Sequence, residues 1–192
     1  KDTDYDIVRK MRASILILGP MLARFGKAKI SLPGGCAIGT RPIDIHLEGL
    51  KKLGANFTVE NGYVLGKVNN HLIGNHIKLP FPSVGATENI MMAAVRAEGQ
   101  TIIENAAMEP EISDLADCLN KMGSKINISN KGIIKITGVK KLNRANHKIM
   151  SDRIVAGTFV IAAIMLNKKF EVKNIESKHL KALTSVLREM GA

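Results

Sequence analysis

Leu50-Lys51-Lys52-Leu53-Gly54-Ala55, Leu119-Asn120-Lys121-Met122-Gly123-Ser124 and Leu187-Arg188-Glu189-Met190-Gly191-Ala192 repeat one pattern at spacings of 69 and 68 residues. Each reads as the last turn of an amphipathic helix that stops at a glycine in the left-handed C′ position. Upstream of each block lies a strongly apolar stretch closed by Gly or Asn, at 11–26, 83–99 and 152–167, which predicts a second helix. Short strands follow at 29–32, 101–104 and 170–173. Behind the amphipathic helix comes a hairpin. In 56–68 the Asn61-Gly62 pair supplies the positive φ angles of a two-residue turn, and in 125–137 the turn is Asn130-Lys131-Gly132. Further strands at 75–79 and 147–150 lead into the next apolar helix.

The unit is therefore β-α-β-α-β-β, and its recurrence makes the chain a repeat of whole supersecondary units of the α/β (α+β) class. One complete unit occupies roughly 75–142, preceded by the back of another (1–74) and followed by the front of a third (143–192). The polar link 140–146 is the expected seam. A helix that is apolar on every side must be enclosed. The three apolar helices are accordingly expected inside, with sheets outside.

Composition narrows the function. With 192 residues, of which 45% are hydrophobic, the chain can bury a sizeable core. The longest apolar runs, 154–166 and 15–23, are short of the roughly 18–20 residues that span a bilayer, so no membrane segment is expected. The net charge of +11 invites a nucleic-acid reading. Against it, the lysines are scattered, Trp is absent, and Tyr and Phe are too few to form stacking platforms. An anionic small molecule needs only a few convergent cations. Two cysteines in unlike settings form no disulfide framework, which fits a reducing cytoplasm. Five scattered histidines give no metal-ligand spacing, and there is no phosphate-binding P-loop or dinucleotide fingerprint. The chain opens on Lys1-Asp2-Thr3-Asp4 without an initiator Met, as an excised segment would.

Four places carry candidate chemistry. Cys36 lies in Leu32-Pro33-Gly34-Gly35-Cys36-Ala37-Ile38-Gly39-Thr40-Arg41-Pro42, where glycines permit close approach of a ligand and Arg41 favours thiolate. Cys118, at i+3 from Leu115 and before Leu119 and Met122, reads instead as inert helix packing. Arg12, with Arg9 and Lys10, opens the first apolar helix, where cations oppose the helix dipole and suit an anion clamp better than helix support. Ser83, Val84 and Gly85 open the next, after Pro80-Phe81-Pro82. Ser83 is a good N-cap, and the free N–H groups of a helix N-terminus bind phosphate. Arg41-Pro42-Ile43-Asp44-Ile45-His46 leads into an amphipathic helix, with Pro42 at a first-turn site and Arg41 offering a planar fork. His46, followed by Leu47 and Leu50, reads as partly buried structure rather than a base. The acidic group Glu109, Glu111 and Asp114 reads as helix N-terminal charge.

Taken together, these segments resemble the UDP-N-acetylglucosamine 1-carboxyvinyltransferase family. The resemblance rests on Lys10-Met11-Arg12-Ala13-Ser14, the cysteine loop through Asp44, Ser83-Val84-Gly85-Ala86-Thr87, Glu104-Asn105-Ala106-Ala107 with Glu109-Pro110-Glu111, and Ser151-Asp152-Arg153-Ile154 with Gly157-Thr158-Phe159. It implies two similar domains, each an inside-out α/β barrel of three such units. Residues 1–150 would be most of the cysteine-loop domain without its front unit, and 151–192 the start of the second. It implies transfer of the enolpyruvyl group of phosphoenolpyruvate to UDP-N-acetylglucosamine, the committed step of peptidoglycan synthesis, in a cytoplasmic monomer that uses no metal or organic cofactor. By the same resemblance, Cys36 is the acid that protonates the donor's methylene carbon and the thiol that fosfomycin alkylates. Arg41 would meet phosphate, Arg12 the sugar nucleotide, Arg41 through Ile45 the uracil, and Ser83 through Gly85 the diphosphate.

Two departures stand out. Phe81 replaces a lysine common in the family, and the family's general base, its N-terminal Lys-Asn pair and its other arginines lie outside these residues. The segment alone is expected not to turn over. The alternatives are the shikimate-phosphate enolpyruvyl transferase, which lacks the cysteine loop, and a non-catalytic sugar-nucleotide-binding module, which needs no reactive thiol.

Overall fold

A computed structural model describes residues 11–32 and 43–191 and divides the chain into two compact units, residues 1–147 and 148–192. Among the described residues, no helix is long and apolar enough to cross a membrane.

In the first unit a 3-10 helix, Arg12–Ile17, runs into α1 (Leu18–Phe25), then β1 (Lys27–Ser31), α2 (Asp44–Lys52), β2 (Ala55–Glu60) and β3 (Tyr63–Val68). β4 (His76–Lys78), α3 (Val84–Ala94), β5 (Gln100–Glu104), α4 (Pro110–Lys121), β6 (Lys125–Ile128) and β7 (Ile134–Thr137) follow. That second run is the β-α-β-α-β-β unit expected from the repeat. The second unit holds α5 (Arg153–Met165), a 3-10 turn at Ser177–Leu180 and α6 (Lys181–Glu189).

The three glycines of the repeated pattern do what the sequence predicts. Gly54, Gly123 and Gly191 adopt φ of 98°, 98° and 91° just past the ends of α2, α4 and α6. Two of these chain reversals feed antiparallel hairpins. β2 and β3 pair in register up to Glu60↔Tyr63, with Asn61 (φ 50°) and Gly62 (φ 77°) as the two turn residues. β1 completes that sheet in the order β1-β3-β2. The second sheet runs β4-β5-β7-β6, with β4 parallel to β5 and the remaining pairs antiparallel.

α3 lies at the centre of the first unit, as an all-round apolar helix must. Its Ile90, Met91, Ala93 and Ala94 are buried among Leu18 and Leu22 of α1, Leu50 of α2, Ile103 of β5, and Ile134 and Ile136 of β7. α1 approaches α3 so closely that a Cβ on Gly19 would lie 2.3 Å from the Asn89 carbonyl oxygen.

Four expectations fail. Residues 12–17 are 3-10 rather than α-helical, because the Asn89 side chain enters the helix ladder between Ile15 and Gly19. The helix expected to reach residue 99 ends at Ala94, where tighter turns take over: Arg96 N–H donates to Ala93 O and Ala97 N–H to Ala94 O. Residues 147–150 and 170–173 form no strand, since no neighbouring strand among the described residues offers them a ladder. Finally, α5 is not enclosed. Ile154 is 61% and Met165 80% exposed, because the second unit contributes only a short 3-10 turn and one helix to cover it.

Candidate functional site

The N-terminus of α3 forms one wall of a cavity of about 550 Å³. Ser83 caps the helix, its Oγ accepting from Ala86 N–H at 3.4 Å. Thr87 Oγ1 donates to Ser83 O at 2.7 Å and accepts from Ala107 N–H at 3.1 Å, which ties the first turn to the segment after β5. The N–H groups of Val84 and Gly85 have no acceptor within the helix by its geometry. They face an opening lined by Arg12 and Leu16 of the 3-10 helix and by Ile45 and His46 of α2. A helix N-terminus and an arginine at one opening are the kinds of group that attract an anion.

His46 is 5% exposed and forms the floor between α2 and α3. A Cβ on Gly85 would stand 3.2 Å from its Cε1 and 3.6 Å from its Nε2, so glycine there lets ring and helix end pack in close contact. Burial chiefly, and then the nearby Arg12 charge, push its pKa down to about 4 from 6.5 against a smaller opposing pull from Asp44. At neutral pH the ring is uncharged. Because the unfolded chain binds a proton that the folded chain does not, stability rises with pH across this window. The contribution is fully present above about pH 6.5 and is lost as pH falls through 4, a change of about 3 kcal/mol. Urea unfolding of the wild type and His46→Gln between pH 4 and 7.5 checks this. The pH slope should be shallower in the variant.

Of the residues singled out in the sequence, Arg12, Ile45, Ser83, Val84 and Gly85 line this one cavity. Ile43 and Asp44 do not. Ile43 is the N-cap of α2 and packs on the core, while Asp44 lines a separate cavity of about 200 Å³ with Glu48, Lys52 and Lys78. Cys36, Arg41 and Pro42 lie outside the described residues. Phe81, where the resemblance led to a lysine, is 55% exposed and lines the cavity. Cys118 is half-buried in α4. Glu109 occupies the N-cap position of α4 without a side-chain capping bond, and Glu111 sits in the first turn, in keeping with the helix-charge reading. Both raise the pKa of Glu88 on α3, though burial contributes more.

Sequence reasoning missed His46 as a lining residue and Asn89 altogether. Its flanking leucines gave His46 the profile of a packed side chain, which it is, but its ring edge also reaches the cavity. Asn89 sits in a helix read as apolar, and nothing in its neighbours marks it.

Comparison with known proteins gives the chain's family and the likeness of its fold. The sequence family described as EPSP synthase (3-phosphoshikimate 1-carboxyvinyltransferase) matches over residues 1–192. A UDP-N-acetylglucosamine 1-carboxyvinyltransferase of Granulibacter bethesdensis is 53% identical over 99% of this chain and 45% of its own length. UDP-N-acetylglucosamine 1-carboxyvinyltransferase 2 of Carboxydothermus hydrogenoformans is 56% identical over 100% of this chain and again 45% of its own. The chain thus spans less than half the length of these relatives. Among solved structures, the enolpyruvyl transferase NikO from Streptomyces tendae superposes with a TM-score of 0.70 at 18% identity, covering 83% of this chain and 38% of that one. EPSP synthase from Acinetobacter baumannii gives 0.61 at 24%, covering 79% and 34%. These two establish likeness of fold.

Proposed function

Because the chain belongs to the EPSP synthase (3-phosphoshikimate 1-carboxyvinyltransferase) family, we propose that it is part of an enzyme that carries the enolpyruvyl group of phosphoenolpyruvate to the 3′-hydroxyl of UDP-N-acetylglucosamine. The observation that carries this reading is the cavity in which Arg12 and the open N-terminus of α3 converge, the chemistry a diphosphate requires. The named activity of relatives more than half identical favours the sugar nucleotide over shikimate 3-phosphate as acceptor.

In this reading Ser83, Val84 and Gly85 hold the diphosphate and Arg12 the sugar nucleotide. Arg41, Pro42, Ile43, Asp44 and Ile45 hold the uracil, although Ile43 and Asp44 lie beside the cavity rather than in its wall. The sugar hydroxyl attacks C2 of phosphoenolpyruvate while the Cys36 thiol gives its proton to C3. The hydroxyl's proton passes to the general base expected outside these residues, and the resulting tetrahedral ketal then loses a proton from C3 as it expels phosphate, which leaves the enol ether. Cys36 must be protonated to do this, so its pKa has to be poised near working pH rather than merely lowered. The wider expectations belong to the same proposal: two inside-out barrels meeting near residue 150, a cytoplasmic monomer acting in cell-wall synthesis, and alkylation of Cys36 by fosfomycin.

The test is product analysis with the whole protein. Phosphate release and an enolpyruvyl adduct with UDP-N-acetylglucosamine, but not with shikimate 3-phosphate, are expected. Reaction with shikimate 3-phosphate alone, or with neither, overturns the reading. Residues 1–192 by themselves should release no phosphate. Mass spectrometry after fosfomycin treatment separates the enzyme from a non-catalytic binding module, since only a reactive Cys36 gains the adduct.

A further inference from the structure

The side chain of Asn89 does three things at once. Its Oδ1 accepts from Gly19 N–H at 2.7 Å, and its Nδ2 donates to Ile15 O at 3.0 Å. In an uninterrupted α-helix, Gly19 N–H would donate to Ile15 O directly. The amide has inserted itself into that bond, and the chain N-terminal to the break runs as the 3-10 helix that begins at Arg12. Both backbone partners have fixed polarity, so the orientation of the carboxamide is not a matter of choice. The second hydrogen on Nδ2 then faces His46 Nδ1 at 3.1 Å. A ring nitrogen that meets an N–H must accept. Nδ1 is therefore bare, and the single proton of the neutral ring sits on Nε2, beside Gly85 at the cavity. Asn89 itself is 0% exposed and cannot touch a ligand.

We propose that Asn89 is a positioning residue of this site: one buried amide sets the helix break that carries Arg12 to the cavity and holds His46 as an Nε2–H donor facing the ligand. The assignment of what that donor meets, an oxygen of the sugar nucleotide, rests on the function proposed above; the tautomer does not.

The tautomer can be read directly from the imidazole 15N shifts of the whole protein at pH 7, with the His46 signals assigned by their loss in His46→Gln. A protonated Nε2 and bare Nδ1 are expected. A protonated Nδ1 in the wild type overturns the proposal. Asn89→Asp keeps the acceptor for Gly19 but turns two donors into acceptors, so the His46 ring should move its proton to Nδ1 or take a second one. Asn89→Leu has similar size and lets Gly19 N–H close onto Ile15 O, which keeps the protein folded where the aspartate variant fails. It should give a mixture of tautomers. A ring still wholly in the Nε2–H form in the variant that folds overturns the proposal. Calorimetry with UDP-N-acetylglucosamine should show affinity lowered about tenfold in either variant, the effect of misplacing one hydrogen-bond donor. Unchanged affinity would overturn the positioning role. A wild-type protein with the expected tautomer but no affinity for the nucleotide would instead refute the functional reading and leave the tautomer assignment standing.

Discussion

Replacing Arg12 by Ala in the whole protein is expected to weaken UDP-N-acetylglucosamine binding by about a hundredfold, or about 3 kcal/mol, the upper range for a charge-assisted hydrogen bond. The guanidinium lines the same cavity wall as the first turn of α3, where the N–H groups of Val84 and Gly85 have no helical acceptor. A ligand phosphate placed there takes donors from the helix and charge from Arg12. Removing the charge leaves only the helix end, which by itself contributes well under that amount. Arg12→Lys should recover part of the loss, because it restores charge without the planar fork. The same substitution has a second readout that no ligand is needed to see. Arg12 is one of the groups that depress the His46 pKa, so in Arg12→Ala that pKa should rise from about 4, while burial still keeps it below 6.5. Isothermal calorimetry checks the first outcome and 15N-detected titration the second. An affinity within threefold of wild type would place the anion elsewhere.

Gly19→Ala should destabilise the first unit by about 3 kcal/mol, near the top of what one added methyl costs in a packed interior. The new Cβ would sit 2.3 Å from the Asn89 backbone oxygen and 2.5 Å from its Oδ1. Neither atom is the end of a flexible chain: one is backbone, and the other is held by Gly19 N–H itself. α1 must therefore move away from α3, with loss of contacts by Leu18 and Leu22. Gly54→Ala is the informative comparison. There the space around the glycine is empty, and only the φ of 98° opposes a side chain, so a loss of about 1 kcal/mol is expected. Urea unfolding of both variants measures the difference. Equal losses would mean that the α1–α3 contact is looser than its geometry implies.

These two glycines show what kind of information each level holds. Gly54 belongs to a pattern that recurs at Gly123 and Gly191, and the repetition alone gave away helix end, turn and following hairpin. Gly19 stands in no pattern. Its role arises from a helix whose sequence lies 70 residues away, and no local rule connects them. The failed expectations have the same origin. Residues 170–173 have strand-like composition, but a strand exists only with a partner to pair with. The apolar character of α5 was legible, whereas how little of it the second unit covers was not. Phe81 and the cavity show the converse: the sequence marked the position as unusual, and the structure shows the ring lining the opening.

By itself, then, the sequence determined the order of elements through the complete unit, its hairpin turns and the apolar character of the helices, because helix caps, two-residue turns and hydrophobic period are local and repeat from unit to unit. It also named Arg12, Ile45, Ser83, Val84 and Gly85 among the residues that line the cavity. Only the tertiary structure decided that Arg12, His46 and the Ser83 turn share one opening, and that a buried Asn89 governs two of them. Those relations are made by side-chain hydrogen bonds across helices, whose partners are fixed by packing distance and not by position along the chain.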